Sequence, residues 1–242
     1  MIFLRVWDIH PGYLSRQSLL GQHAEIHALL SIIEGDKKGY AQHPETLRWK
    51  NQLNCLKYKH DLSVLEMKLR NFNHSSPCAA CSDHDVDRTM DYVDTPVDQI
   101  NILRQKYRNK KQAGRIPLPN NAYELWAHHK YSVMARGYNH YKMIQDCLSL
   151  KERHPLEESG CLIRQIMEIM EKPVTVPALG SVIEHLWGYF KREASEAEKA
   201  VYINRKPEDF GLLVRFIYNL SQKYDCTYLL QSTIFADFTD QS

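Results

Sequence analysis

The stretch from Trp7 to Leu30, WDIHPGYLSRQSLLGQHAEIHALL, brings Arg16, Gln17, Gln22, His23 and His27 onto one amphipathic helix with one carboxylate, Glu25. At 100° per residue, Leu19, Ile26 and Leu30 gather into an apolar stripe. Gly21, Ala24 and Ala28 fall on the far side, with Glu25 at their flank. Small side chains let a ligand or a neighbouring backbone come close, and a carboxylate at the rim of such a surface is placed to act on whatever docks there. The same pattern also fits a helix that packs its Gly/Ala face on a second helix and leaves Glu25 as a solvated acid.

Other residues carry possible chemistry. His10, followed by Pro11, either lines a pocket or caps a turn, and Trp49 either packs in the core or wedges beside an unstacked base. His74, Cys78, Cys81 and His84 are spaced as a compact zinc loop or as a surface loop with free thiols. Neither a metal nor a cofactor is assigned. Arg104, Arg108, Lys111 and Arg115 recur at i, i+4, i+7 and i+11, with Lys106 and Lys110 between them and no acid from Asn101 up to Glu124. Such a stripe tracks a nucleic-acid backbone or forms an ordinary charged helix face.

Apolar residues recur at helical spacing nearly throughout, and alternating β-branched runs are scarce, so the fold class is all-α. Helices are expected from about Ser15 to Glu34, after Pro44, over 52–70, from Thr95 to about Gln112, and through AYELWAHHKYSVMAR. Others are expected near 138–149, 157–171, 178–193, 195–204 and 208–223. Thr95-Pro96 with Asp98, and Ser195 with Glu198, have the spacing of helix N-termini. A chain of 242 residues favours two domains. The expected division is a helical domain at 1–92, a basic connector helix with a Pro-rich loop at 93–119, and a second helical domain at 120–242. A net charge of +2 discriminates little. Scattered cysteines and the lack of an apolar run of about 20 residues point to reduced thiols, a cytoplasmic location and no membrane partner.

Arg5, Gln17, Glu25, the segment HPGYLSRQSLLGQH, the segment KKGYAQHPETLRW, and the spacing of His60, Glu66, Arg70, Phe72 and Asn73 resemble the pyrimidine-dimer DNA glycosylase/AP lyase family. The resemblance covers roughly residues 3–75. It implies a small all-α repair enzyme whose α-amino group attacks C1′ of a damaged nucleotide to form a Schiff base while one Glu assists base loss and strand cleavage. The implied partner is damaged double-stranded DNA. Glu25 stands where the family places that acid, Arg5 matches a basic residue near the amine, and Gln17 and His10 fall in the pocket-forming segment. An α-amine suits the chemistry because its pKa of about 7.7 leaves a neutral fraction at physiological pH.

Ala24 and Ala28 occupy positions where a bacteriophage member of that family has arginines, so the resemblance moves the phosphate contacts to His23, His27, Lys37, Lys38 or Arg48. The chain opens MIFLR, ahead of the position next to Arg5 where the amine is expected, and the bulky Ile2 implies that Met1 is retained. The terminal amine of Met1 is then the expected nucleophile, with Lys37 or Lys38 as alternative imine-forming amines. In the second half, SVIEHLWGYFKREASEAEK and LWAHHKYSVMARGYNHY resemble the YbgA-like domain of unknown function, which implies a helical accessory module. The competing functional class is a non-catalytic nucleic-acid-binding or adaptor protein, directed to DNA or RNA.

Overall fold

A computed structural model describes residues 4–35, 37–78, 92–149, 154–205 and 210–237. Among them the secondary structure is helical, with no strand, as the apolar periodicity predicts. The chain divides into two compact units, Met1–Leu118 and Pro119–Ser242. None of the described helices is long and apolar enough to cross a membrane.

The first unit holds α1 (Arg16–Glu34), α2 (Pro44–Trp49), α3 (Leu53–Leu69) and α4 (Pro96–Lys110). Their ends follow local chemistry. Ser15 caps α1 by accepting the Ser18 N–H, and His43 caps α2 by accepting the Glu45 N–H, with Pro44 in the first turn. Thr95 and Asp98 form a complete capping box on α4. That helix stops at Lys110 because Lys111 turns into the left-handed region at φ 49°. Leu4, Val6, Ile26, Leu29, Leu30, Trp49, Cys55 and Leu56 form one cluster of the core. Trp49 is therefore a packing residue, with its indole N–H donating to Glu45 Oε2 at 2.9 Å.

The segment from Leu4 to His10 is buried and irregular, so its N–H groups need partners that no strand supplies. Side chains provide them. Arg5 N–H donates to Glu25, Trp7 N–H to Gln22 at 2.9 Å, and Asp8 N–H to Gln99 at 2.8 Å. Gln99 lies on α4, and Tyr107 of the same helix accepts from Ser15 N–H while donating to Tyr13 O. The expected connector helix at 93–119 is thus an integral wall of the first unit, and the division between units falls at Leu118.

A second set of bonds fixes the 3₁₀ turn Pro11–Tyr13. Glu66 in the last turn of α3 and Arg70 at its C-cap pair at 2.7 Å, while Arg115 closes on both oxygens of Glu66 at 2.8 Å. Arg70 also donates to the carbonyls of Leu14, Pro11 and Gly12. Gly114 permits the approach, because a Cβ there would lie 2.4 Å from Tyr13 O.

Beneath this segment lies Glu45, 3% exposed, whose pKa burial pushes up to about 7 against the opposing pull of Arg48. An acid with a raised folded-state pKa stays protonated in the folded chain while the unfolded chain ionises, so it costs stability as pH climbs through that window. Wild type should therefore lose, relative to Glu45→Gln, on the order of 2 kcal/mol between pH 5 and 8. Thermal unfolding of both proteins at the two pH values measures this, and parallel pH profiles would contradict it. Gln retains an acceptor for the Trp49 N–H, so the comparison isolates the charge.

In the second unit α5 (Ala122–Arg136) is buried on nearly every side and packs against α6 (Tyr138–Ser149), α7 (Gly160–Met170) and α8 (Val176–Trp187). Gly137, at φ +147°, makes the break between α5 and α6. Completing the unit are α9 (Glu196–Ile203), α10 (Phe210–Lys223) and α11 (Thr227–Leu230). Arg136 and Asp237 form an ion pair at 3.0 Å with almost no exposure on either side chain. Trp126 and Trp187 are buried, the latter stacked on Tyr202 at 4.3 Å. His129 is fully buried whereas His185 and Lys191 are exposed, so these basic residues do not share one surface.

Candidate active site

Glu25 projects from the third turn of α1 beside the N-terminal segment. Its Oε2 accepts the Arg5 N–H at 2.7 Å, and the side chain is half-buried. Burial raises its pKa, against the lowering effects of the Arg5 N–H, of the Lys106 ammonium and of the Arg5 guanidinium. Lys106, on α4, donates from Nζ to Ser18 Oγ at 2.9 Å. Its pKa is lowered by burial and by Lys110, and the charge of Glu25 opposes that shift. The arrangement places a carboxylate inclined to hold a proton in the electrostatic reach of an amine inclined to lose one.

The small-residue face beside this pair is open. Ala24 and Ala28 are exposed, and a Cβ added at Gly21 would meet nothing within 4 Å. No described helix packs on that face, so it is open among the described residues. Arg5 is held in place by Asp94 at 2.6 Å, with its guanidinium 5.1 Å from the Trp7 ring centre.

The remaining sequence-derived positions divide sharply. His10 is buried and its Nδ1 accepts the Gly12 N–H at 2.9 Å, which is the turn-capping alternative. Gln17 is exposed. Arg48, 7% exposed, is bonded to Asp8, lies 3.6 Å from Glu45 and stacks over Trp49, so it is committed to the interior and is not a free phosphate ligand. Lys37 donates to Ser31 Oγ at 2.6 Å, and Lys38 is exposed. His23 joins a group of four histidines. Of the basic stripe, Arg108 and Lys111 are exposed, Arg104 bonds Asn101, and Arg115 is the Glu66 partner rather than a surface cation. Met1, Cys81 and His84 lie outside the described residues.

Residues 4–80 match the pyrimidine dimer DNA glycosylase family. That segment contains Arg5 and Glu25, and also Glu66 and Arg70, which hold the turn Pro11–Tyr13. Residues 130–239 match a family described as a protein of unknown function, DUF1722. No curated protein and no solved structure matches the chain.

Two features of the matched segment's surroundings were not legible in the sequence. Lys106 reads there as one cation among six between Arg104 and Arg115, and only its reach to Ser18 on α1 singles it out beside Glu25. Gln22 and Gln99 carry no motif, because satisfying a distant backbone N–H leaves no local pattern.

Proposed function

We propose that the first unit is a DNA N-glycosylase/AP lyase acting on pyrimidine-dimer-type lesions in double-stranded DNA, with Glu25 as its acid. The observation that carries the reading is the half-buried carboxylate of Glu25, bonded to the Arg5 N–H at the edge of an open Gly/Ala face and within the field of Lys106. The family resemblance implies an α-amino group as the attacking amine, and Met1 is the candidate for it. Lys106 is the described amine that shares the electrostatics of Glu25.

The amine lone pair attacks C1′ of the damaged nucleotide, and the C1′–N bond breaks with its electron pair leaving on the base. Glu25, protonated, gives its proton to the departing base; its raised pKa supports that role. The amine nitrogen then gives a proton to the ionised Glu25, which passes it to O4′ as the C1′–O4′ bond opens; O4′ leaves as a hydroxyl and the nitrogen lone pair forms the C1′=N bond of the protonated Schiff base. Glu25, now ionised, removes a C2′ proton, the C3′–O bond breaks, and the 3′ phosphate leaves with the cut strand. Water hydrolyses the imine to free the amine. A carboxylate so placed also stabilises the positive charge that develops on the sugar.

Backbone contacts come from the exposed end of α4, at Arg108, Lys110 and Lys111, in place of the arginines that Ala24 and Ala28 replace. The second unit serves as an accessory module. The reading is tested by borohydride reduction in the presence of a duplex bearing an abasic site, which should leave protein and DNA covalently joined. The competing adaptor class predicts binding without a covalent product.

A further inference from the structure

His23 and His27 lie one turn apart on α1, His60 lies on α3, and His74 lies in the segment that follows α3. One ring nitrogen from each falls within 4.8 Å of all the others. His23 Nε2 and His74 Nε2 are 3.0 Å apart, and the rings of His23 and His60 have centroids 4.9 Å apart. We propose that these four side chains form a binding site for a divalent transition metal, with Zn²⁺ the best fit, that ties α1, α3 and the segment around His74 together.

The donor geometry fits that ion. Zinc bonds imidazole nitrogen at about 2.0–2.1 Å in a tetrahedron, which sets its ligand nitrogens about 3.4 Å apart. Small ring rotations bring the four nitrogens from their present spread to that distance. Hydrogen bonding supports the same assignment. Asp61 lies 2.9 Å from His60 Nδ1, so a carboxylate holds the tautomer that leaves Nε2 bare toward the cluster, the usual outer support of a zinc-bound histidine. His60 Nε2 lies 3.4 Å from the Ser76 carbonyl. His27 Nε2 is buried with no hydrogen-bond partner.

Electrostatics add to the geometry. Burial and mutual repulsion bring the pKa of His23 down to about 4, and burial with His60 lowers those of His27 and His74. Neutral imidazoles keep the lone pairs that a metal requires. Four protein ligands leave no open coordination position, so the site is structural. It differs from the zinc loop expected at His74, Cys78, Cys81 and His84 in taking three ligands from helices. Cys78 Sγ is 4.0 Å from His27 Nδ1 and belongs to the surroundings of the site.

The test needs neither DNA nor activity. Chelator-treated full-length protein, titrated with Zn²⁺ by calorimetry, should bind one ion per chain with micromolar affinity or tighter and unfold at higher temperature when loaded. Co²⁺ in its place should give the intense visible bands of a tetrahedral ion. His60 is buried and its loss threatens folding, so the diagnostic variant is His27→Gln/His74→Gln, expected to weaken Zn²⁺ binding by about tenfold or more while retaining its helical circular-dichroism spectrum. Cys78→Ser should bind as wild type. Absence of stoichiometric binding, undiminished affinity in the histidine variant, or a thiolate-to-cobalt band lost in Cys78→Ser would each overturn the proposal.

Discussion

Glu25→Gln is expected to lower the single-turnover rate of base release and strand cleavage by about a hundredfold or more, the usual contribution of a positioned acid–base group. The variant separates chemistry from structure. Its amide oxygen still accepts the Arg5 N–H that Glu25 Oε2 now accepts at 2.7 Å, so the N-terminal segment keeps its place and stability should change by less than about 1 kcal/mol. Gln can neither donate the proton that the departing base needs nor remove one from C2′. Glu25→Ala would confound the two roles, because it also leaves the Arg5 N–H without its acceptor. A Glu25→Gln protein that retains wild-type rates would make the carboxylate a backbone anchor only.

Arg70→Met should cost about 3–5 kcal/mol of stability, the typical penalty for breaking a buried ion pair from one side. Arg70 is 13% exposed and Glu66 wholly buried. Its guanidinium serves Glu66 together with the carbonyls of Leu14, Pro11 and Gly12, so the substitution removes the donor to all of them. Arg115 remains on Glu66 and keeps that charge partly compensated, which holds the loss below full collapse. Calorimetric unfolding should place the transition of the first unit roughly 12–20 °C lower. A change under about 1 kcal/mol would mean that the turn Pro11–Tyr13 is held by packing alone.

Much of the fold was legible from local signals. Thr95-Pro96 with Asp98, Ser195 with Glu198, and the stripe through Leu19, Ile26 and Leu30 specify helices because capping and periodicity act over a few residues. Gly35 ended α1 as expected, while the one helix expected over 178–193 closes at Trp187, where successive turns replace it through Glu193. The assignment of α4 to the first unit was not legible, because it depends on Gln99 and Tyr107 reaching residues far away in sequence.

The candidate site divides the same way. Glu25 beside a Gly/Ala face is a local pattern and holds in three dimensions. Arg48 and Arg115 look like surface cations in the sequence, since the carboxylates that claim them, Asp8 and Glu66, lie forty or more residues away. The four-histidine group is equally non-local. Only the pair His23 and His27 has helical spacing, and nothing in the chain announces that His60 and His74 meet it.

The central claim is that the carboxylate of Glu25 works with an amine on the sugar of a damaged nucleotide. Borohydride reduction of the full-length protein on an abasic duplex, followed by mass-spectrometric mapping of the adduct, tests it most directly. A covalent product on Met1 or Lys106, reduced in Glu25→Gln, is the predicted result. Tight binding with no covalent product, or an adduct confined to Lys37 or Lys38, would contradict it.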